Sequence, residues 1–356
     1  MERLRVIAIC LLFSLLLMGG ISLLVKSHLD RPHVLWEKDC SLIGVFDNYV
    51  ICYNDETITL LDITNGDKIR EINGRDPYLI GEVLSFVDGN TLYNLNLRSN
   101  EIKKVPTNLP EIYAGFDFDN YTLFIQIENK SPVSAITYHI CHHYECSSAS
   151  IPNGSTPQVL KIGNKMILGS TTGRDAFYVE NGKIIFNFTT DSPVKTFEIA
   201  ENRVFIAEGG EVLGDIYSGK LYAFDKWGRP LWDYSLTPKD KAFACLYTEN
   251  DRLYGITYNA VMFIFSFDGE LEKTIESPLT DKILLDAESI GIECDQGTFA
   301  YVVNTYGAKR ESGFCVYNDG EFKCYKMELL STKIFIRGNY MVVQLVNGKV
   351  AVLKVS

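Results

Sequence analysis

The stretch GVFDNYVICYN (residues 44–54) places two apolar segments on either side of the polar dipeptide Asp47-Asn48. The same phrase, in which Tyr, Lys or Arg opens the second segment, occurs six times, at Asn48, Asn120, Asn164, Asn202, Asn250 and Asn339. The first and last are 291 residues apart, which is seven periods of about 42 residues if two occurrences have decayed. Such a period, with several short strands in each unit, predicts a β-propeller of four-stranded blades.

A second set of turns follows the first by about half a period. Asn-Gly and Asp-Gly supply the positive φ angles of a tight hairpin turn, and such pairs between alternating strands mark β-hairpins. These turns lie at Gly66, Asn100, Gly182, Gly228, Gly269 and Gly320. Each period therefore contains two hairpins, or four strands, which are called A to D.

The strand count predicts how the ring closes. Seven full units run from about Cys40 to Met327, and three more strands follow before the end of the chain. The missing outer strand of the eighth blade is found at the other end, because HVLWEKD (33–39) matches RPLWDYS (229–235) around a Leu-Trp-acid core. We expect Val34–Asp39 to pair with the C-terminal strand and remove the open edge. The prediction is one all-β domain over residues 34–356, an eight-bladed propeller.

One blade resembles a known repeat. KLYAFDKWGRPLWDYSL (220–236) is similar to the repeat of pyrroloquinoline-quinone-type (PQQ-like) eight-bladed propellers, through Ala223, Asp225, Gly228 and Trp232. Weaker matches are Asp62 with Gly66, and Gly182 with Phe186 in the Trp position. The resemblance implies the architecture, whereas one fold supports many functions. Quinone-dependent members use two adjacent cysteines and a matched Ca²⁺ site, and no two cysteines are adjacent here, so no cofactor is predicted.

The N-terminal segment predicts a membrane anchor. Val6–Val25 contains 20 residues without a charge, enough to cross the hydrocarbon core of a bilayer. Arg3 and Arg5 precede it, which orients the N-terminus inside and the propeller outside the cytoplasm. Residues 1–33 are thus expected to form a cytoplasmic stub, a single-pass transmembrane helix and a short linker at the cell membrane. The alternative is a signal peptide cleaved near Gly20 or Ser22.

Cysteine usage indicates an oxidising compartment, since eight of the nine cysteines follow the apolar segment. Around the Asp319-Gly320 turn, Cys315 faces Cys324 as a non-hydrogen-bonded pair, where side chains come closest. If His143-Tyr144 is a turn, Cys141 and Cys146 also face each other as a non-hydrogen-bonded pair. We therefore predict two disulfides within C–D hairpins; the alternative is free buried thiols. The other four cysteines cannot be paired from the sequence: Cys40, Cys52, Cys245 and Cys294. Cys40 and Cys52 lie on adjacent A and B strands and are a plausible pair.

Candidate ligands for a metal ion are sparse. HICHHYEC (139–146) offers His139 and His143, but its cysteines fit a disulfide better and adjacent histidines in a turn are often simply solvated. Asp62 with Asp67, and Asp117 with Asp119, are spaced as Ca²⁺ ligands in a loop can be, although ordinary turn chemistry explains them as well. The sequence contains no His-Glu-x-x-His, Gly-x-Ser-x-Gly or Walker-type motif.

Charge and loop length suggest the kind of partner. The net charge of −11 has the wrong sign for binding nucleic acid. The B–C and D–A loops of a propeller share one face, and three B–C connections are long: 128–133, 208–219 and 306–313. Two interpretations of these connections are open: a binding face, or tolerated surface insertions. The candidate binding residues are Glu208, Glu211, Asp215, Tyr217, Tyr306, Lys309 and Arg310.

These features together predict a non-catalytic binding or scaffold module outside the cytoplasm, with a protein or a cell-surface glycan as its partner. The alternative class is an enzyme, either a carboxylate-based hydrolase or lyase or a degenerate quinoprotein, with its site at the propeller channel. Three or more convergent acids with a metal at the channel mouth would favour the enzyme, whereas aromatic and mixed-charge loops would favour binding.

Overall fold

The computed structural model describes residues 32–355 except 108, 110, 119, 131–132, 143–144, 213–214, 238–239, 241, 279–286, 296–297, 306–311, 319 and 328–330. In this part of the chain, eight four-stranded antiparallel sheets follow one another around a ring. The predicted all-β, eight-bladed propeller is therefore confirmed. The apolar segment Val6–Val25 lies outside the described residues, and within them no helix is long and apolar enough to cross a bilayer.

The first four blades contain strands β2 to β17, with strand A innermost. Blade 1 has β2 (Ser41–Phe46), β3 (Tyr49–Asn54), β4 (Thr57–Asp62) and β5 (Lys68–Asn73); blade 2 has β6 (Arg75–Ile80), β7 (Val83–Asp88), β8 (Thr91–Asn96) and β9 (Glu101–Lys104). Blade 3 has β10 (Ile112–Phe118), β11 (Tyr121–Lys130), β12 (Val133–His142) and β13 (Glu145–Pro152); blade 4 has β14 (Pro157–Ile162), β15 (Lys165–Ser170), β16 (Asp175–Glu180) and β17 (Lys183–Thr189).

The remaining blades contain the other strands, including the first. Blade 5 has β18 (Val194–Ala200), β19 (Arg203–Val212), β20 (Asp215–Asp225) and β21 (Pro230–Ser235); blade 6 has β22 (Phe243–Glu249), β23 (Arg252–Thr257), β24 (Val261–Ser266) and β25 (Leu271–Glu276). Blade 7 has β26 (Ala287–Asp295), β27 (Thr298–Thr305), β28 (Ser312–Asn318) and β29 (Glu321–Met327); blade 8 has β30 (Ser331–Arg337), β31 (Tyr340–Leu345), β32 (Lys349–Lys354) and β1 (His33–Asp39).

The ring closes by pairing its two ends, as predicted. Strand β1 is the outer strand of blade 8 and pairs antiparallel with β32, with Trp36 opposite Val352 and Asp39 opposite Lys349. Because β32 is flanked by β31 and β1, neither of its edges is left unpaired. Closure thus joins the first strand of the propeller to the last.

The hydrophobic core is a series of layers between neighbouring blades. One layer joins blades 8 and 1 through Val50, Leu61, Val342 and Val352, all of which are buried. Similar clusters follow around the ring between the other neighbours. The alternating apolar residues of each strand therefore pack against the next blade, which explains why a single blade would not bury its faces alone.

A repeated contact docks an outer strand onto the next blade. The ring of Trp36, in blade 8, lies against Gly66 of blade 1, and its indole Nε1 donates a hydrogen bond to the Ile63 carbonyl oxygen at 2.9 Å. In the same way, Trp232 of blade 5 lies against Gly269 of blade 6 and donates to the Phe267 carbonyl oxygen at 2.8 Å. A side chain at Gly66 would fall 2.8 Å from the indole, and φ there is +74°. Glycine is thus required both by the turn and by the close approach.

The two predicted hairpin disulfides are present. Cys141 pairs with Cys146 and Cys315 with Cys324, with Cα atoms 4.0 and 4.1 Å apart respectively. Both pairs face each other across a C–D ladder. These short distances match the non-hydrogen-bonded positions that the turn register predicts.

The other four cysteines connect different parts of the ring. Cys40, in the link between β1 and β2, bonds to Cys52 on β3, and so fixes the closing strand of blade 8 to blade 1. Cys245 on β22 bonds to Cys294 on β26, 49 residues later in the chain. This second bridge ties the inner strands of blades 6 and 7 together, a pairing that the sequence had left open.

Candidate functional site: the B–C face and the central channel

The B–C connections of blades 3 and 5 are long hairpins, whereas the sequence predicted long loops. In blade 3 the ladder between β11 and β12 continues to Lys130 opposite Val133. In blade 5 the ladder between β19 and β20 continues to Val212 opposite Asp215. The strands are about four residues longer than those of blade 1, which extends each hairpin by about 13 Å. The alternation of the flanking strands simply continues through the predicted loops.

An irregularity separates the blade 5 hairpin from the body of its blade. The register between β19 and β20 shifts between Glu208 and Gly210: Glu208 faces Lys220, whereas Gly210 faces Tyr217. At this point Gly209 has φ of +126°, and a Cβ added there would lie 2.6 Å from the Gly219 Cα atom. Two glycines thus allow the backbones to cross closely where the projecting hairpin begins.

The candidate binding residues of blade 5 occupy different places along this hairpin. Glu208 is buried at its base, where its carboxylate accepts hydrogen bonds from the Ser192 backbone N–H at 3.0 Å and the Tyr222 hydroxyl at 2.8 Å. Its carboxylate therefore holds the blade together instead of facing a partner. Beyond the bulge, Glu211 pairs with Ile216 across the ladder, near Asp215 and Tyr217. The blade 7 candidates Tyr306, Lys309 and Arg310 lie outside the described residues.

Blade 4 lies between the two long hairpins and has a short B–C connection. The surface there, which we call the saddle, consists of residues 153–156 and 171–174. It carries exposed hydroxyl groups: the Ser155 and Thr171 side-chain oxygens are 3.0 Å apart, and Thr172 donates to the Asn153 carbonyl oxygen. The result is a low polar surface between two projecting β-hairpins on one face of the ring.

The candidate metal ligands have other partners. The two ring nitrogens of His139 contact the Ser148 hydroxyl at 2.8 Å and the Gln126 side-chain oxygen at 3.1 Å, and burial lowers the pKa of His139. Asp62 accepts hydrogen bonds from the Thr64 backbone N–H and hydroxyl, as a turn-capping residue does. Within the described ranges, no three His, Cys, Asp or Glu side chains form a cluster suited to a metal ion. His143 and Asp119 lie outside those ranges.

The central channel holds a cavity of about 1090 Å³ bounded by the inner strands of blades 4 to 8. Its wall includes the Cys245–Cys294 disulfide and both signs of charge, in Lys195, Glu198, Glu293 and Lys333. Sequence reasoning did not single out these residues. The sequence did contain a signal for them, namely charged residues within the innermost strand of a blade, as in VKTFEIA (194–200). Such residues have to face the channel or be buried.

Burial perturbs the charged groups of the channel. Burial lowers the pKa of Lys195. Burial also lowers the pKa of Lys333, and the negative charge of Glu293 opposes this effect. The Lys333 ammonium donates hydrogen bonds to the Leu42 and Ile43 carbonyl oxygens at 3.1 and 3.0 Å. Burial raises the pKa of Glu198 to about 7, although the Ile199 backbone N–H donates to its carboxylate. Lys195 and Glu198 are half-buried, and each shift has the direction expected for a charged group that is partly withdrawn from water.

The pKa of Glu198 gives a test of this environment. Because its pKa rises from 4.5 to about 7 on folding, the folded state binds the proton more tightly, and the stabilisation is complete below pH 4.5 and lost as pH rises through about 7. The Glu198→Gln variant should lose this dependence, which amounts to about 3 kcal/mol between the two limits. Urea unfolding at pH 4.5 and pH 8 measures it. Glu270→Gln, at an exposed turn, is the control, and an equal pH dependence in wild type and Glu198→Gln would contradict the burial of this carboxyl.

Comparison with solved structures identifies the same fold. The C-terminal WD40 domain of Sif2 superposes with a TM-score of 0.63 at 10% identity, over 93% of this chain and 100% of that domain. BamB from Moraxella catarrhalis gives 0.55 at 13% identity, over 91% and 99% of the two chains. The computationally designed Ika8 protein gives 0.56 at 12% identity, over 92% and 100%.

Sequence comparisons add no family. No protein family model matches the chain, and no curated protein is similar to it in sequence. The structural similarities establish the propeller fold, while membership of the PQQ-like group stays a prediction.

Proposed function

We propose that this protein is a non-catalytic scaffold that binds a protein partner on its B–C face, between the hairpins of blades 3 and 5. The observation that carries the proposal is the pair of long hairpins that project from one face on either side of the short blade 4 connection. Compact repeats have little structural need for such extensions, and long connections in a propeller tend to serve binding. The propeller fold, which the chain shares with the WD40 domain of Sif2 and with BamB, is typical of protein-binding scaffold modules and supports the same interpretation.

The saddle is suited to a polar partner. Its exposed hydroxyl groups can pair with backbone amides and carbonyls of a bound segment, while the hairpins supply flanking walls. A cell-surface glycan is the second ligand class that such hydroxyls fit. The channel supports binding over carboxylate catalysis, because its described carboxyl groups are accompanied by two lysines.

The proposal includes a location outside the cytoplasm, with Val6–Val25 as the membrane anchor. Its support is the uncharged run itself, together with four disulfides, which are typical of oxidising compartments.

Site-specific photo-crosslinking in native membranes tests the binding face. A photoreactive amino acid in place of Thr172, in the saddle, should give a defined protein adduct. The same probe in place of Trp227, an exposed side chain in a C–D turn on the opposite face, should give none. Shortening the blade 5 hairpin by replacing residues 210–217 with Asn-Gly should abolish the Thr172 adduct while the ring stays folded.

Four outcomes would count against the proposal or a part of it. Equal adducts from both faces, or an adduct that persists after the hairpin is shortened, would remove the role of the hairpins. A saccharide in place of a protein at Thr172 would favour the glycan. Release of the full-length chain by carbonate washing would contradict the anchor but leave the binding face in place.

A further inference from the structure

The channel charges lie at two levels along its axis. All inner strands run in the same direction and end at their A–B turns, so positions can be compared by counting back from each strand end. Glu198 and Glu293 each lie two residues before the end of their strands, β18 and β26. Lys195 lies five residues before the end of β18, and Lys333 four before the end of β30. The amines are thus nearer the B–C face and the carboxyl groups nearer the A–B face.

A β-bulge explains why Lys195 and Glu198 line the same cavity. Side chains alternate between the two faces of a regular strand, so two residues that are three positions apart would point to opposite sides. Register shifts between Val194 and Thr196, so Lys195 is the extra residue of a bulge, which changes the alternation. Among the described inner strands, only β14 pairs without such a shift. Bulges commonly re-aim side chains at functional sites.

Among the residues that the structure describes, none pairs with the Lys195 ammonium in this cavity. No hydrogen bond or ion pair reaches it from the described residues, although its own backbone carbonyl accepts from the Gln158 side chain at 3.2 Å. The carboxylate of Glu198 accepts one hydrogen bond, from the Ile199 backbone N–H at 3.0 Å. Lys195 is half-buried, so a bound anionic group in the channel would supply the counterion that the amine lacks.

We propose that the channel binds short peptides with free termini, with their carboxylate at Lys195 and their ammonium group at Glu198. Three residues of β-strand separate Lys195 from Glu198, a distance of about 10 Å. An extended tripeptide separates its two charged ends by about the same distance. The cavity has a volume of about 1090 Å³. Sites for small ligands typically have about 300–1,000 Å³, so the channel has enough room for a tripeptide. Apolar lining residues, among them Leu160, Tyr247 and Phe335, offer contacts for peptide side chains.

This inference is independent of the proposed function, because the channel wall is formed by the inner strands and the proposed protein-binding face by the B–C hairpins. A peptide terminus of a bound protein is one source of such a ligand. A variant with the shortened blade 5 hairpin should therefore retain tripeptide binding even where it loses its protein partner.

Equilibrium dialysis against a mixed tripeptide library tests the proposal on the purified propeller. Tripeptides with free termini should be retained at least tenfold better than the same library with both ends blocked, by N-acetylation and C-amidation. Lys195→Met should abolish the preference for a free carboxylate but keep that for a free amine, and Glu198→Gln should do the reverse. Lys183→Met and Glu270→Gln, both at exposed positions, are the matched controls.

The two-way pattern distinguishes a binding role from simple misfolding. A variant that failed to fold would lose both preferences together, and Lys195→Arg should restore the carboxylate preference. Equal retention of free and blocked tripeptides, or a preference that neither variant changes, would overturn the proposal. Retention of dicarboxylates with no response to a free amine would also overturn it, since Glu198 would then have no role.

Discussion

Replacing Trp36 by Ala should lower the free energy of unfolding by about 3–5 kcal/mol, as truncation of a packed aromatic side chain does. The substitution removes the ring that covers Gly66 and the hydrogen bond from the indole to the Ile63 carbonyl oxygen. Both contacts join blade 8 to blade 1, so the loss falls where the ring closes. Chemical denaturation followed by circular dichroism measures the change.

A matched control is available within the chain. Trp227 is 59% exposed in a C–D turn, so Trp227→Ala should change the stability by less than about 0.5 kcal/mol. Deleting residues 34–39 should have a larger effect than Trp36→Ala, because it also exposes the edge of β32. An unchanged stability after that deletion would contradict closure by β1.

Replacing both Cys245 and Cys294 by Ala should destabilise the propeller by about 4 kcal/mol, more than removal of any other bridge. The disulfide joins residues 49 apart in sequence, and on the chain-entropy model the loss grows with the length of the closed loop. The Cys315–Cys324 bridge, with a separation of nine, should contribute about 2–3 kcal/mol on the same model.

Denaturation of the two double variants under non-reducing conditions makes the comparison. Cys315→Ala with Cys324→Ala is the control, since it removes a disulfide of the same type within one hairpin. Peptide mapping without reduction should recover the Cys245–Cys294 pair in the wild-type protein. A larger loss from the hairpin bridge, or recovery of free thiols at both positions, would contradict the interblade link.

The predicted fold was accurate because it depends on local signals. Turn residues such as Asn48 and Gly66 recur with one period, and a strand bounded by such turns pairs with its neighbours in sequence. The Leu-Trp-acid match between residues 33–39 and 229–235 then identified the closing strand. The hairpin disulfides were predictable for the same reason, since Cys315 and Cys324 are symmetric about a tight turn.

The candidate site was less predictable. A run such as 208–219, with its several glycines, is compatible with either a loop or a long hairpin, and the ladder that decides between them has a bulge at Gly209. Glu208 was expected on the binding face from its place in that run, yet it is buried at the base of the hairpin. Burial depends on partners elsewhere in the fold, among them Ser192 in the connection between blades 4 and 5, and the local sequence around Glu208 does not contain this information.

The sequence by itself determined the number of blades, their strand order, the closing strand and the two hairpin disulfides, because each of these depends on residues within one turn or one repeat. Only the tertiary structure decided the Cys40–Cys52 and Cys245–Cys294 bridges and the meeting of Lys195, Glu198 and Lys333 in the channel. The physical reason is the packing of blades around an axis. It brings together inner strands that lie far apart in the chain, and their bulges redirect side chains in ways that strand alternation alone does not predict.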